Sequence, residues 1–337
     1  MKIEVNSRVK QEIKSHKESG LPIVPRTSFI KQFGGPGADS RIICFRFWEL
    51  VVAAGCPYRC SYCFLQATPS YVFGHYPLQG AIFENWRQMI EEVVEWLKHP
   101  LPRMLVIGEL QDGLAFDSAY RKVANKSLTE MLIPLFAEQS RHRLLFLTKS
   151  TVIENALRLP PTNQVVFSWS VNAEEAARRW EIGAPLPSRR IAAARRMMEA
   201  GWPVRFRLDP MIPFDGWREG YLDVINRLNE LRPEMVTIGA LRASNTLKAH
   251  ARRNGRDASI FELLKEKDAS NFKWRLPQDV QIELFRFAYE HIDGTRIATA
   301  LCKEDASIWE SVGMSFKGCH CLVGNSDEIA GRRHRQM

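Results

Sequence analysis

The sequence predicts an α/β fold built on a parallel sheet, in the form of a partial (β/α)6-type TIM barrel with N- and C-terminal extensions. Between residues 47 and 301, short apolar segments alternate with helical segments of about 10–15 residues. Strands and helices that alternate in this way form parallel sheets wrapped by crossover helices. The pattern gives about seven strands, and an active site is expected at their carboxyl ends.

Strands are predicted, in chain order, over 47–52, 104–108, 144–147, 165–171, 204–208, 235–240 and 296–301. Helices are predicted over 83–99, 128–136, 187–200, 217–231 and 280–291, with a short one ending at Ala156. The helix over 187–200 stops before Gly201, a residue that commonly ends helices. We expect residues 1–44 to form an N-terminal extension, 45–300 the barrel, and 301–337 a cap that carries cysteines and a basic tail.

Length and composition indicate an ordinary intracellular enzyme. A chain of 337 residues suits one large α/β unit. We find no apolar run near the roughly 20 residues of a membrane span and no apolar signal segment at the start. Seven cysteines, an odd number with three clustered, argue against a disulfide framework and for a reducing cytoplasm.

The formal net charge of +9 is compatible with a polyanionic partner such as DNA, because basic surfaces attract phosphates over distance. Part of the excess lies at the C-terminus, in Arg332-Arg333-His334-Arg335. Basic tails are commonly solvated, so an aid to solubility explains the charge equally well.

The most informative motif is Cys56-x3-Cys60-x2-Cys63, which directly follows the first predicted strand. Three thiolates at this spacing can hold three irons of a [4Fe–4S] cube and leave the fourth iron open, whereas such clusters are normally held by four cysteines. The alternatives are a zinc knuckle or buried structural thiols. A zinc site usually pairs C-x2-C with a second ligand pair nearby, and no further cysteine follows before Cys302.

With an aromatic residue before its last cysteine, the motif resembles the signature of the radical S-adenosylmethionine (SAM) superfamily. The resemblance implies that SAM binds the open iron through its amino and carboxylate groups. One electron, supplied by a donor such as flavodoxin or ferredoxin, then splits SAM into methionine and a 5′-deoxyadenosyl radical.

Polar residues at the next strand ends become candidate SAM contacts. Gly108-Glu109 resembles the Gly-Gly-Glu motif that receives the SAM amino group, with Ile107 in place of one glycine. Asp112 is a candidate for the ribose hydroxyls or, alternatively, a loop cap. Lys149, at the end of its strand, is placed to pair with the methionyl carboxylate.

The two following strands point polar side chains to one face. Alternation puts Ser168 and Ser170 on the same side, where hydroxyls can bond SAM or substrate. Arg205, Arg207 and Asp209 likewise share a face. Burying these charges is costly unless they pair or bind a polar ligand, so Arg207 and Asp209 form either a structural pair or a substrate site.

Longer stretches resemble spore photoproduct lyase and its DNA repair photolyase-like group, and together they span residues 45–240. They are 55–66, 148–149, 167–172, 181–185, 200–204 and 213–217. The resemblance implies that Tyr62 lies near the substrate and that Lys149 and Ser170 contact the SAM carboxylate.

Three departures predict a protein that is not a true spore photoproduct lyase. Residues 108–112 lack the thiol that returns hydrogen in the lyase, Phe64 stands where a second tyrosine is expected, and the C-terminal lesion-reading hairpin has no counterpart. We therefore expect the radical chemistry on a different nucleotide-containing substrate, either DNA or a free nucleoside or nucleotide.

A second constellation consists of Cys302, Cys319, His320 and Cys321. The three cysteines are candidates for an auxiliary Fe–S cluster or a zinc ion. Cys302, at a strand end, is also a candidate catalytic hydrogen donor. Ordinary reduced thiols in a C-terminal cap are the third interpretation.

Two basic stretches leave the partner open. Arg242, Lys248, Arg252, Arg253 and Arg256 surround His250, and Lys273-Trp274-Arg275 mixes basic and aromatic residues as nucleic-acid platforms do. Solvated surface explains both equally well. The competing functions are radical modification of another small molecule or peptide with an auxiliary metal site, and a non-enzymatic, zinc-containing nucleic-acid-binding protein.

Overall fold

A computed structural model describes residues 20–33, 42–43, 47–268, 273–316 and 319–322. Most of the predicted N-terminal extension and the basic tail Arg332-Arg333-His334-Arg335 lie outside the described residues. None of the helices in these ranges combines the length and the apolar character needed to cross a bilayer.

An eight-stranded sheet organises the fold, and its strands lie side by side in chain order. They are β1 (Ile30–Phe33), β2 (Phe47–Leu50), β3 (Met104–Ile107), β4 (Arg143–Thr148), β5 (Val165–Val171), β6 (Val204–Met211), β7 (Met235–Ala240) and β8 (Ala298–Leu301). β1 pairs antiparallel with β2, and each other neighbouring pair is parallel. The seven parallel strands are those that the sequence predicts.

The helices connect these strands. They are α1 (Pro69–Val72), α2 (Trp86–Leu97), α3 (Arg121–Ala124), α4 (Leu128–Ala137), α5 (Glu174–Trp180), α6 (Pro187–Glu199), α7 (Trp217–Leu231), α8 (Leu247–Arg253), α9 (Gln278–His291) and α10 (Ala306–Val312). The five long predicted helices are present. The short helix predicted to end at Ala156 is wrong, because residues 149–155 are not helical and a 3-10 helix, Ala156–Arg158, begins there instead. The sequence pattern does not predict α8, because Leu247 and Ala251 are its only buried residues and the rest of the helix is mostly basic.

Short strands form three smaller sheets. One joins Ile23–Val24, Ala81–Phe83 and Ala53–Ala54. A second pairs Arg59–Cys60 with Glu181–Ile182, and a third joins Arg242–Ala243, Trp274–Arg275 and Glu266–Lys267. The second and third place loop segments next to the carboxyl ends of the main strands.

The main sheet has two chemically different faces, because successive side chains of a strand point to opposite sides. One set of strand residues, such as Leu105, Phe146 and Phe206, joins the large apolar core together with helix residues such as Leu132 and Ile225. The other set begins with a small apolar cluster of Phe47, Met104, Val106, Leu145 and Val166, with Cys321 packed against it. Polar residues continue this second face toward the strand ends.

The α/β class and the parallel sheet are confirmed, and the sheet is open. In the described ranges, the first and last strands each pair on one side only, so no closed barrel forms. Strand order that advances by one neighbour at a time is what a barrel-like winding requires. Pairing alone does not define curvature, so the partial barrel stays a prediction, as does the division at residues 44 and 300.

Candidate active site

A cavity of about 450 Å³ lies at the carboxyl ends of the parallel strands. The side chains on its wall come from separate strand ends and loops that the parallel sheet brings together. They include Cys56, Cys60, Tyr62, Cys63, Gly108, Glu109, Asp112, Lys149, Ser170, Arg207, Asp209 and Lys303. Of the thirteen residues predicted as catalytic, cofactor-binding or ligands of the first cluster, eleven line this cavity, and Ser168 and Cys302 do not.

The cysteine loop is fixed by close backbone contacts. Gly55 has a φ of 72°, and a Cβ there would lie 2.5 Å from the carbonyl oxygen of Leu78, so only glycine fits. The amide of Gly55 donates to the Tyr71 hydroxyl at 2.6 Å, and the amide of Cys56 donates to the Leu78 carbonyl at 2.9 Å. These contacts set where the first cysteine begins.

The middle of the loop is held by residues 180–181 and by the Gln66 side chain. Cys60 lies opposite Glu181 in the short antiparallel pair, and the Ser61 amide donates to the Trp180 carbonyl at 2.8 Å. The Gln66 side chain donates to the carbonyls of Ser61 and Cys63, at 2.9 and 3.1 Å. The protein's own contacts thus support the loop along its length.

Its donor set fits a [4Fe–4S] cluster that keeps one iron open. The three thiol side chains come from one loop and line one cavity. Cysteine thiolates are the ordinary ligands of such clusters. Burial raises the pKa of the Cys60 thiol to about 12, so metal binding must displace its proton.

Tyr62 presents its ring to the cavity, while its hydroxyl is engaged behind the wall. The hydroxyl donates to the Glu181 carboxylate, and Arg190 donates to the same carboxylate at 2.5 Å. Burial opposes ionisation of Glu181, but Arg190 and Lys149 hold its pKa below the usual value. The Lys149 ammonium lies 5.6 Å from the centre of the Tyr62 ring. Tyr62 is therefore fixed in orientation by a buried ion pair.

The loop that carries Glu109 is organised by a residue that sequence reasoning missed. Glu49 of β2 is fully buried, and its Oε1 accepts from the amides of Gly108, Glu109 and Leu110 at 3.1–3.4 Å. A single glutamate within an otherwise apolar strand was the sequence feature that could have pointed to this buried carboxylate. Gly108 has a φ of 128°, and a Cβ there would lie 2.1 Å from the Leu147 carbonyl oxygen. Glycine is thus required where this loop leaves β3.

Glu49→Gln is expected to remove a pH-dependent part of the folding stability. Burial, together with the nearby Glu109, raises the pKa of Glu49 from 4.5 to about 8. Between these values the folded state binds more protons than the unfolded state, so stability falls as the pH rises from about 4.5 to 8. Urea unfolding across this range should show wild type losing stability relative to Glu49→Gln. The exposed Glu91→Gln is the control, and parallel curves for wild type and Glu49→Gln would contradict the expectation.

Glu109 lies within a network of charges on the cavity wall. It pairs with Lys303 at 2.6 Å and with Arg207 at 3.7 Å. Burial opposes its ionisation, but these two cations lower the pKa of Glu109 to about 2. Lys303 was not singled out as a site residue by sequence reasoning, and its backbone has a φ of 58°, uncommon for a residue with a side chain.

Arg207 also pairs with Asp209 at 2.7 Å, as the structural interpretation predicts. Both side chains nevertheless line the cavity. The same guanidinium lies 2.9 Å from the Cys302 sulfur. Pairing therefore accounts for the burial of Arg207 and leaves a role toward a ligand open as a prediction.

Asp112 and Lys149 are joined at the end of β4. The Asp112 carboxylate accepts from the Lys149 amide at 2.7 Å and from the Thr148 hydroxyl at 2.6 Å. It also accepts from the amides of Leu114 and Ala115, which is the loop cap that the alternative interpretation describes. Contact between Asp112 and the SAM ribose stays a prediction.

The two serines of β5 differ in their access to the cavity. Ser170 lines it, whereas Ser168, two residues earlier on the same face, is fully buried and does not reach the wall. The Ser168 hydroxyl has no hydrogen-bond partner in the structure. A direct contact from Ser168 to a bound cofactor therefore gains no support from this geometry.

The C-terminal cysteines contact residues of the second face of the sheet: Cys321 packs against its apolar cluster, and the Cys302 sulfur contacts Arg207. Arg205 donates to the carbonyls of His320 and Leu322, at 2.8 and 3.3 Å, and so anchors this segment. The thiols of Cys319 and Cys321 are hydrogen-bonded neighbours. Burial raises the pKa of the Cys302 thiol to about 11, although Arg207 opposes this. In the described ranges, no three of these groups surround one ion position, and the auxiliary metal site stays a prediction.

The basic residues lie in three different places, and the two stretches meet where Arg242–Ala243 pairs with Trp274–Arg275. Lys248 pairs with Glu262 near the surface, whereas Arg256 donates to the Cys60 carbonyl at 2.6 Å. Lys273 and Arg242 line the cavity. Sequence reasoning gave no sign of the contact between Arg256 and the cysteine loop, because 196 residues separate the partners.

A family model described as spore photoproduct lyase matches residues 47–241. The spore photoproduct lyase of Bacillus subtilis strain 168 is 26% identical over 192 residues, which cover 56% of this chain and 53% of that protein. That of Geobacillus sp. strain Y412MC61 is 25% identical over 181 residues, covering 54% of this chain and 50% of that protein. The chain thus matches about half the length of these curated relatives.

Solved structures agree with the fold over a longer span. A spore photoproduct lyase in complex with a dinucleoside spore photoproduct superposes with a TM-score of 0.67 at 17% identity, covering 89% of this chain and 85% of that one. A variant of the lyase with bound AdoMet and dinucleoside spore photoproduct gives 0.64 at 17% identity, with 89% and 86% covered. At such identity the likeness concerns the fold.

Proposed function

The chain belongs to the spore photoproduct lyase family, and on that premise we propose that it is a radical SAM enzyme acting on a nucleotide-containing substrate. The observation that carries the proposal is that Cys56, Cys60 and Cys63, from one supported loop, all line the cavity that Glu109 and Lys149 also line. When bound, a [4Fe–4S] cluster would pass one electron to SAM, and the resulting 5′-deoxyadenosyl radical would take hydrogen from the substrate.

In this proposal, different residues bind different parts of SAM and of the cluster. The three cysteines each bind one iron, Glu109 receives the SAM amino group, and Lys149 with Ser170 holds its carboxylate. Gly108 leaves room for the loop to turn, and Asp112 holds the Lys149 amide in place while facing the ribose side. These roles agree with the low pKa of Glu109, which keeps it anionic for an ammonium partner.

For the substrate, we propose that Tyr62, Arg207 and Asp209 form the contact surface. Lys273, Lys303 and Arg242, from three separate segments, line the same cavity and favour a substrate that carries phosphate. The solved relatives whose titles name a dinucleoside spore photoproduct support a nucleotide-containing molecule, either DNA or a free nucleoside or nucleotide.

Cys302 is the proposed hydrogen donor in place of the thiol missing from residues 108–112. Its raised pKa keeps the S–H intact near neutral pH, and its contact with Arg207 joins it to the cavity wall. We further propose a flavodoxin or ferredoxin as electron donor and a reducing cytoplasm, in keeping with six free cysteines in the described ranges.

The test is to reconstitute the protein anaerobically, reduce it with dithionite and measure 5′-deoxyadenosine formed from SAM. About four irons per chain are expected for one cube. Deuterated nucleosides, nucleotides and DNA are then offered, and deuterium in 5′-deoxyadenosine identifies the substrate. Cys302→Ala should still cleave SAM but lose substrate turnover.

Three other outcomes decide between the hypotheses. Loaded protein that does not cleave SAM would defeat the proposed function. An iron content clearly above four per chain, with deuterium transfer only from a peptide or another small molecule, would favour the second hypothesis. In that hypothesis Cys302, Cys319 and Cys321 hold an auxiliary cluster. Colourless protein that contains zinc would favour the non-enzymatic nucleic-acid-binding protein.

A further inference from the structure

A segment outside the matched residues 47–241 covers the cysteine loop. Helix α8 packs against the 3-10 helix Phe64–Ala67, which directly follows Cys63. The Asn254 side chain donates to the Gln66 side chain at 3.2 Å. Just beyond the helix, Arg256 donates to the Cys60 carbonyl at 2.6 Å and hydrogen-bonds the Cys63 side chain.

Arg256 is thereby held as a cation beside the proposed iron ligands. Its guanidinium is half-buried, and the groups that favour its charged form are the three cysteines Cys63, Cys60 and Cys56. No Asp or Glu in the described ranges forms an ion pair with it. The Nε of Arg256 is buried without a hydrogen-bond partner, so this N–H group of the guanidinium can still donate to a further acceptor. Burial lowers the pKa of Arg256 and the three cysteines raise it, and a guanidinium stays protonated at neutral pH.

A cation at this position acts on the electron affinity of the site. A cube held by three thiolates is negatively charged, and it gains one more negative charge on reduction. Reduction potentials of such clusters depend on net charge and on hydrogen bonds to the sulfurs. Coulomb interactions are strong where water is partly excluded, so a nearby guanidinium stabilises the reduced cluster more than the oxidised one.

We propose that Arg256 sets the reduction potential of the cluster held by Cys56, Cys60 and Cys63, raising it toward that of the electron donor. The inference rests on the proposed function, since it requires a cluster at these cysteines. One electron passes from the flavodoxin or ferredoxin to the cluster, and no proton moves, because Arg256 stays protonated throughout. Arg256 is a positioning residue that acts through the cysteine sulfurs and does not touch substrate.

The experiment is an EPR-monitored redox titration of the full-length, anaerobically reconstituted protein. Arg256→Gln should lower the midpoint potential of the cluster by about 59 mV. For a one-electron couple this corresponds to a tenfold change in the equilibrium constant for reduction. Arg256→Lys, which keeps the charge but loses the fork, should lie between this variant and wild type. Arg253→Gln is the matched control, because it removes the same charge from an exposed position on the same segment.

EPR reports only chains that carry a cluster, so partial loading does not disturb the comparison. Midpoints of Arg256→Gln and Arg256→Lys that equal the wild-type value overturn the inference, as does an equal shift in Arg253→Gln. If Arg256→Gln holds no cluster, Arg256→Lys decides: a midpoint below wild type supports the inference and an equal one overturns it. Wild-type protein without iron defeats the proposed function itself, which is a distinct result.

Discussion

Cys60→Ala is expected to lose its iron–sulfur cluster and to reduce SAM cleavage by more than about 100-fold. Cys60 is the buried middle cysteine of the loop, and with two thiols left the cube has no stable attachment. Mutation of a residue that only hydrogen-bonds to a metal ligand typically lowers metal affinity or activity by about 10–100-fold. Loss of a ligand itself should therefore have a larger effect. Iron and sulfide content, together with 5′-deoxyadenosine formation, measure the effect.

Cys319→Ala is the matched control for this variant, because Cys319 is also buried but lies outside the cavity wall. It should retain the full iron content and the SAM cleavage of wild type. Partial iron loss in Cys319→Ala would favour a second cluster at the C-terminal cysteines. A Cys60→Ala protein that keeps its full iron content would contradict the assignment of the loop.

The fold could be predicted from the sequence to the extent that it depends on local patterns. Each of the seven parallel strands is a short apolar run with helical segments around it, and β2 to β8 follow these runs closely. Strand β1 could not be found this way, because it pairs with β2, which follows only after the Gly/Pro-rich residues Gly34-Gly35-Pro36-Gly37. Helix α8 was hidden because charged residues cover most of its surface.

The candidate site shows the same limit more clearly. Glu109 and Lys149 were predictable because strand ends of a parallel sheet converge on one edge, wherever the individual strands occur in the sequence. Their partners were not predictable. Glu109 meets Lys303 across 194 residues, and Arg256 meets the Cys60 carbonyl across 196. Such contacts are decided by the packing of loops, which leaves no periodic signal in the chain.

Glu181→Ala is expected to lower the free energy of unfolding by about 3–5 kcal/mol, the range for breaking a buried ion pair. The Glu181 and Arg190 side chains are both within 1% of complete burial. Removing the carboxylate leaves the Arg190 charge without its partner and the Tyr62 hydroxyl without its acceptor. Urea unfolding measures the loss. Arg218→Ala, which breaks an ion pair with Glu283 whose side chains are about half exposed, should cost at most about 1 kcal/mol.

The double variant Glu181→Leu/Arg190→Met distinguishes the effect of the ion pair on folding stability from its effect on the orientation of Tyr62 in the cavity wall. Replacing both members of a buried ion pair by apolar residues is often neutral or stabilising, so the double variant should recover most of the stability lost in Glu181→Ala. Tyr62 would still lack its acceptor, and its ring would no longer be fixed beside Lys149. SAM cleavage coupled to substrate turnover should therefore stay low in a protein of normal stability. If turnover recovers together with stability, the Glu181–Arg190 pair only supports the fold, and the orientation of Tyr62 is set by the loop alone.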